Sequence, residues 1–165
     1  MKTMKKLTFL FAFSLLVSSC GKLSIDPDKD DSGGAASGSK ITGTMTATID
    51  GKSWKAKTLN FGGLFATVTM AGKIDDENII SLEFNETKLQ TGKSYKFDPN
   101  NLEENLIATL VVQTGGKILF AKAGTFTFKK YKRNSVIEGE LNAVLTNFID
   151  ADIELEDCKF SMEYK

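Results

Sequence analysis

The feature that most constrains this chain is a side-chain period of two that runs through residues 41–165. Met45, Ala47 and Ile49 alternate with Thr44, Thr46 and Thr48. Successive side chains of a strand point to opposite faces, so this pattern makes a half-buried strand and cannot line one side of a helix. Asp50-Gly51 follows, the dipeptide that supplies the positive φ angles of a tight hairpin, and Trp54 and Ala56 continue on a return strand. Leu64, Ala66, Val68 and Met70 alternate up to Gly72, and Ile80, Leu82 and Phe84 alternate with Ser81, Glu83 and Asn85. Tyr95 and Phe97 form a short strand before Pro99. Leu106 to Val112 is apolar on both parities, as expected of a central strand covered on both faces. Ile118 and Phe120 lead to Gly124, then Phe126 and Phe128, and then Ile137, Leu141, Ala143 and Leu145. Ile153 and Leu155 are odd, whereas Cys158, Phe160, Met162 and Tyr164 are even. This change of parity near Glu156-Asp157 predicts a bulge.

About ten strands at short, regular intervals predict an all-β domain. The expected fold is an antiparallel sandwich or a flattened, calycin-like barrel. Only Asn101 to Asn105 offers a helical turn. Residues 21–40 (GKLSIDPDKDDSGGAASGSK) differ sharply: beyond Leu23 and Ile25 they have little to bury. Such a segment is a tether, with a root-mean-square reach of roughly 25 Å as a flexible coil.

Residues 1–19 are a third region. Lys2, Lys5 and Lys6 precede an apolar run of eleven residues, Leu7 to Val17. That run is shorter than the ~20 residues needed to span a bilayer and fits the apolar part of an export signal. Val17-Ser18-Ser19-Cys20 then resembles the lipobox of bacterial lipoproteins: an aliphatic residue, two small residues and Cys. The resemblance implies cleavage between Ser19 and Cys20, a diacylglycerol on the Cys20 sulfur and acylation of the new amine. Two or three chains, at ~0.8 kcal/mol for each buried methylene, hold a protein on a membrane stably. Acidic Asp26, Asp28, Asp30 and Asp31 resemble the surface-export signals of Bacteroidetes lipoproteins. The expected location is therefore the cell envelope, at the outer membrane, with display on the surface. The opening TATIDGKSWKA, the strand start Gly124-Thr125-Phe126 and the stretch from VIEGELNAVLTN to KFSMEY also resemble small Bacteroidetes lipoprotein domains without a known activity. Leu141 stands where that pattern more usually has an aromatic.

The composition excludes several chemistries. With no histidine, the chain has no Ser-His-Asp or Cys-His nucleophile system and no common His-based zinc site. The chain carries 21 basic and 21 acidic residues, and loss of the three lysines of the signal leaves an acidic excess of three. A nucleic-acid binder would instead show a basic stripe. No phosphate-binding glycine motif occurs; Gly33-Gly34, Gly62-Gly63 and Gly115-Gly116 read as turns and linker. Counted from Asp26, the sixth and twelfth positions of a calcium loop would be Asp31 and Ser37, where Gly and Glu are required. No metal or cofactor is expected. Asn85-Glu86-Thr87 is a glycosylation sequon only in a eukaryotic setting.

Three groups remain as candidate sites. Asp150, Asp152, Glu154 and Glu156 would share one face of a strand, and neighbours two apart come near the ~5–5.5 Å separation of a retaining glycosidase pair. Glu138 and Glu140 form a second such pair. A single Trp and a short chain argue against a sugar cleft, so a solvated strand face is the expected reading of both. Trp54, Phe61 and Phe65 would be a binding patch or, by default, core. Cys158 has no partner once Cys20 is acylated, and a buried, inert thiol is expected. The functional expectation is a membrane-anchored, non-enzymatic β domain that binds a protein, glycan or small apolar ligand. A glycan-active enzyme and a structural component of the envelope are the alternatives.

Overall fold

The computed structural model describes residues 40–98 and 107–165. Ten strands follow one another: β1 (Ile41–Ile49), β2 (Lys52–Lys55), β3 (Thr58–Leu64), β4 (Thr67–Asp75), β5 (Asn78–Asn85), β6 (Ser94–Phe97), β7 (Ala108–Thr114), β8 (Lys117–Lys132), β9 (Val136–Thr146) and β10 (Ile153–Tyr164). One 3₁₀ turn, Glu86–Lys88, follows β5 and is capped by the Asn85 side chain. All pairings are antiparallel, in the order β2-β1-β10-β9-β8-β7-β5-β4-β3. The sheet curls into a half-barrel, the flattened-barrel form of the expected all-β fold. β8 is long enough to pair with β7 over its first residues and with β6 over Gly124–Thr127. Cys20, the 1–19 signal, the tether up to residue 39 and the turn at Asn101–Asn105 lie outside the described residues.

Local chemistry explains most of the turns. Asp50 and Gly51 both have positive φ, 50° and 71°, as the β1–β2 hairpin requires. Gly115-Gly116 turns β7 into β8 with φ of 55° and 75°. The expected bulge is present: Leu155 faces Ala143 but Cys158 faces Leu141, so β10 holds one extra residue. Asp157 takes it up at φ 49°, and its N–H donates to the Asn142 side-chain oxygen at 2.8 Å. The inward positions of β10 thereby change from Leu155 to Cys158, Phe160 and Met162, all buried.

Four expectations are corrected. Leu64 to Met70 is not one strand: Phe65 turns the chain between β3 and β4 at φ 54°. That conformation is unusual for an aromatic residue, so no Gly, Asn or Asp announced the turn. Gly62-Gly63 lies within β3, paired with Thr69 and Val68, and is not a turn. Ile118 and Phe120 are not inward. Leu119 is buried between them, and they are 54% and 42% exposed. Register shifts between Ala121 and Ala123 and between Phe128 and Lys130 each add a residue to β8 and reverse its facing. β7 is central as expected, but it is not covered on both faces. Ala108, Leu110 and Val112 are buried, while half-buried Val111 faces exposed Phe120 on the outer side.

Eight aromatic side chains pack among the aliphatic ones on the inner face. Phe84 and Phe128 lie 4.7 Å apart, Phe97 and Phe126 4.9 Å, and Phe128 and Phe160 5.7 Å. Gly139 makes room for Phe160, because a Cβ there would come within 2.6 Å of the Phe160 ring. Such rings contribute ~0.5–1.5 kcal/mol per pair beyond their burial. The open edge at β3 is drawn toward β10 by side chains. The Tyr164 hydroxyl donates to the Phe61 carbonyl. Arg133 donates to the carbonyls of Gly63 (3.3 Å) and Phe65 (2.5 Å) and pairs with Glu86. Glu86 also accepts from the Tyr131 hydroxyl, whose titration burial and that carboxylate push upward. Among the described residues, every buried core residue lies between Met45 and Met162, within the compact unit Ala35–Lys165.

Candidate functional site

The half-barrel has two unlike ends. At one, Lys40 exchanges backbone hydrogen bonds with Lys165, beside the β3–β4 and β8–β9 turns. At the other, the β1–β2, β4–β5 and β7–β8 turns meet the start of β10 around a cavity of about 370 Å³. This volume lies within the ~300–1,000 Å³ range of small-molecule pockets, which recur at the mouths of β-barrels.

The mouth is built from strand ends, each contributing one or two residues. Ile49, Trp54, Ile74 and Ile153 supply apolar walls, Asn78 and Thr114 are polar, and Lys52 and Lys117 lie at the rim. Trp54 comes from the short strand after the Asp50-Gly51 turn and is 5% exposed. Its indole N–H is buried without a hydrogen-bond partner among the described residues. A buried donor left unpaired costs about 1–3 kcal/mol. Thr114 donates to the Asn78 side-chain oxygen at 3.3 Å, and Asn78 donates to Asp75 at 2.8 Å. These bonds hold the two turns of that side together.

A rigid loop flanks the mouth between β9 and β10. The Asn147 side-chain oxygen accepts from the N–H groups of Ile149 (3.1 Å) and Asp150 (2.9 Å), and Thr146 Oγ1 accepts from the N–H of Phe148. Lys117 and Lys122 of β8 pair with Asp150 and Asp152, each at 2.7 Å. Hydrogen bonds from these lysines hold both carboxyls below the usual aspartate range. At the loop's tip Phe148 and Ile149 are 80% and 88% exposed. Asp150, the next residue, pairs with Lys117 of the pocket rim.

The predicted site residues fall out as follows. Asp150 and Asp152 precede β10 and belong to this loop, so the four acids do not form one strand face. The alternation that suggested it spans a loop–strand boundary. Glu154 and Glu156 are on β10 and line a shallow cavity of about 210 Å³ with Gly124, Asn142 and Val144. A glycosidase acid must be held protonated, and the shifts of Asp150 and Asp152 run the opposite way. Glu140 of the second acidic pair is bound by Lys129 at 2.6 Å, and Glu138 is exposed. Trp54 and Phe61 are buried but Phe65 is 84% exposed, so the three do not form a patch. Among the described residues no group of three or more His, Cys, Asp or Glu is placed to hold a metal ion. Cys158 is fully buried, and Cys20 and the Asp26–Asp31 acids lie outside the described residues. Sequence reasoning missed Ile153, Thr114, Lys117, Phe148 and Ile149. Phe148-Ile149, an apolar pair between Asn147 and Asp150, was the available signal. No protein-family model, curated protein or solved structure matches this chain.

Proposed function

We propose that the protein is a lipid-anchored envelope protein whose half-barrel is a non-enzymatic binding domain, with a small apolar ligand held at the mouth. The single observation that carries the ligand reading is the 370 Å³ cavity walled by Ile49, Trp54, Ile74 and Ile153. The anchor reading rests on Val17-Ser18-Ser19-Cys20 after a short apolar run.

The ligand reading is tested with a small apolar fluorophore, 1-aminoanthracene. Wild-type protein is expected to bind it saturably. Ile153→Glu places a carboxylate in an apolar wall at a half-buried position and should weaken binding roughly tenfold or more, ~1.4 kcal/mol. Equal binding by both proteins would move the ligand elsewhere. For the anchor, cells fed a fatty-acid analogue should label the wild-type protein and not Cys20→Ser. Equal labelling of the two would end the lipoprotein reading.

A further inference from the structure

The end opposite the mouth carries an unexplained pair of features. Leu64 and Phe65 project from the β3–β4 turn, 72% and 84% exposed. Phe65 does so at φ 54°. An aromatic residue in the left-handed region is strained, and Gly or Asn would hold the turn with less strain. Folding alone therefore gives no reason for a phenyl ring at the tip. Around this turn the charge is basic. Lys88, Lys130, Lys132 and Arg133 are exposed there, with Lys40 and Lys165 at the paired chain ends. Glu86, Glu138 and Glu163 oppose them, and Glu86 is taken up by Arg133 and Tyr131. The mouth has the reverse balance: Asp50, Asp75, Asp76, Glu77 and Asp150 are exposed there, and Lys52, Lys73 and Lys117 offset only part of it. Among the described residues the charge is thus basic at this end, where Lys40 lies, and acidic at the mouth.

We propose that this basic end is a seat for an anionic bilayer surface. Leu64 and Phe65 insert below the headgroups, and the surrounding lysines meet the lipid phosphates. An apolar tip ringed by Lys and Arg is the composition of interfacial membrane contacts, whose strength combines buried apolar area with attraction to anionic lipid. Phe148 and Ile149 are equally apolar, and Phe148 too has a positive φ, 64°, so the surrounding charge distinguishes the two tips: Phe148 and Ile149 stand at the acidic end, which an anionic surface repels. The seat would hold the domain upright with its mouth outward. The seat deepens the anchored reading but does not need the lipid on Cys20 to be measured.

The test uses residues 21–165 without lipid, mixed with vesicles of phosphatidylglycerol and phosphatidylcholine or of phosphatidylcholine alone, and floated on a density gradient. Wild-type protein is expected to float with the anionic vesicles and to be released by salt. Leu64→Ser with Phe65→Asn removes the apolar tip and suits the positive φ, so the fold is kept. It should weaken binding roughly tenfold or more. Phe148→Ser with Ile149→Ser removes as much apolar surface from the other end and should bind like wild type. Equal losses in both variants, no flotation of wild type, or a dimer that the tip variant abolishes would each overturn the seat. Failure of Cys20 labelling with intact flotation would remove the anchor and leave the seat standing.

Discussion

Cys158→Asp is expected to leave the domain unfolded at neutral pH. The thiol is fully buried on β10, just past the bulge at Asp157, in the core that includes Phe160, Met162 and Leu141. Burial pushes its pKa from 9.0 up to about 12. A carboxyl at the same point would be desolvated with no cation against it. It must stay protonated or ionise unpaired, and the cost is ~4 kcal/mol or more. That is most of the stability of a domain at the lower end of the usual range of about 5–15 kcal/mol. Loss of cooperative thermal unfolding by circular dichroism reads the result. Cys158→Ala should still fold, with a small cavity. The wild-type thiol also gives a pH signature. Its folded pKa is the higher one, so its contribution is complete below pH ~9 and is lost as pH rises toward 12, by up to ~1.4 kcal/mol per unit. Cys158→Ala should make the alkaline loss smaller, leaving the share of Tyr131 and Tyr164, whose titrations burial also raises. Rapid modification of native protein by a polar thiol reagent would contradict the burial.

Gly43→Ala is expected to cost nearly as much, ~3–5 kcal/mol. Gly43 lies in β1 at φ 139°, where L side chains rarely sit. A Cβ added there would come within 1.9 Å of the Ser161 carbonyl oxygen, on the β10 strand that it pairs with. The obstacle is backbone, so no rotamer change relieves it. Gly51→Ala is the control. Its φ is also positive, at 71°, but a Cβ there meets nothing within 4 Å. Its cost should be only the ~1–2 kcal/mol of a left-handed alanine. Urea titrations compare the two, and equal midpoints would contradict the close approach of β1 to β10.

The contrast between these glycines and the rest of the chain explains what could be read from sequence. The bulge at Asp157 was legible because the apolar residues on both sides keep strict alternation, so the parity change stands out. The β3–β4 turn was hidden because Phe65 occupies a conformation that turn residues normally signal with Gly or Asn. Ile118 and Phe120 misled because two bulges reverse the facing of β8, and their bulged residues, Lys122 and Lys129, resemble ordinary outward positions. Asp150 and Asp152 continue the alternation of β10 past its end, into a loop held by lysines from β8. The mouth was the least legible part. Ile49, Trp54, Ile74, Thr114 and Ile153 come from five separate strands. No local pattern joins them, and only the curl of the sheet brings them together.

Trp54 makes the central claim directly measurable, because it is the only tryptophan in the chain and lines the mouth. The decisive measurement is its emission while the protein is titrated with a small apolar alcohol carrying a terminal bromine, which quenches only on near contact. The account predicts saturable quenching at Trp54 that Ile153→Glu weakens and that the unbrominated alcohol competes away. Saturable binding by calorimetry with Trp54 emission unchanged would place the ligand outside the mouth, and no saturable binding of any apolar ligand would contradict the binding reading itself.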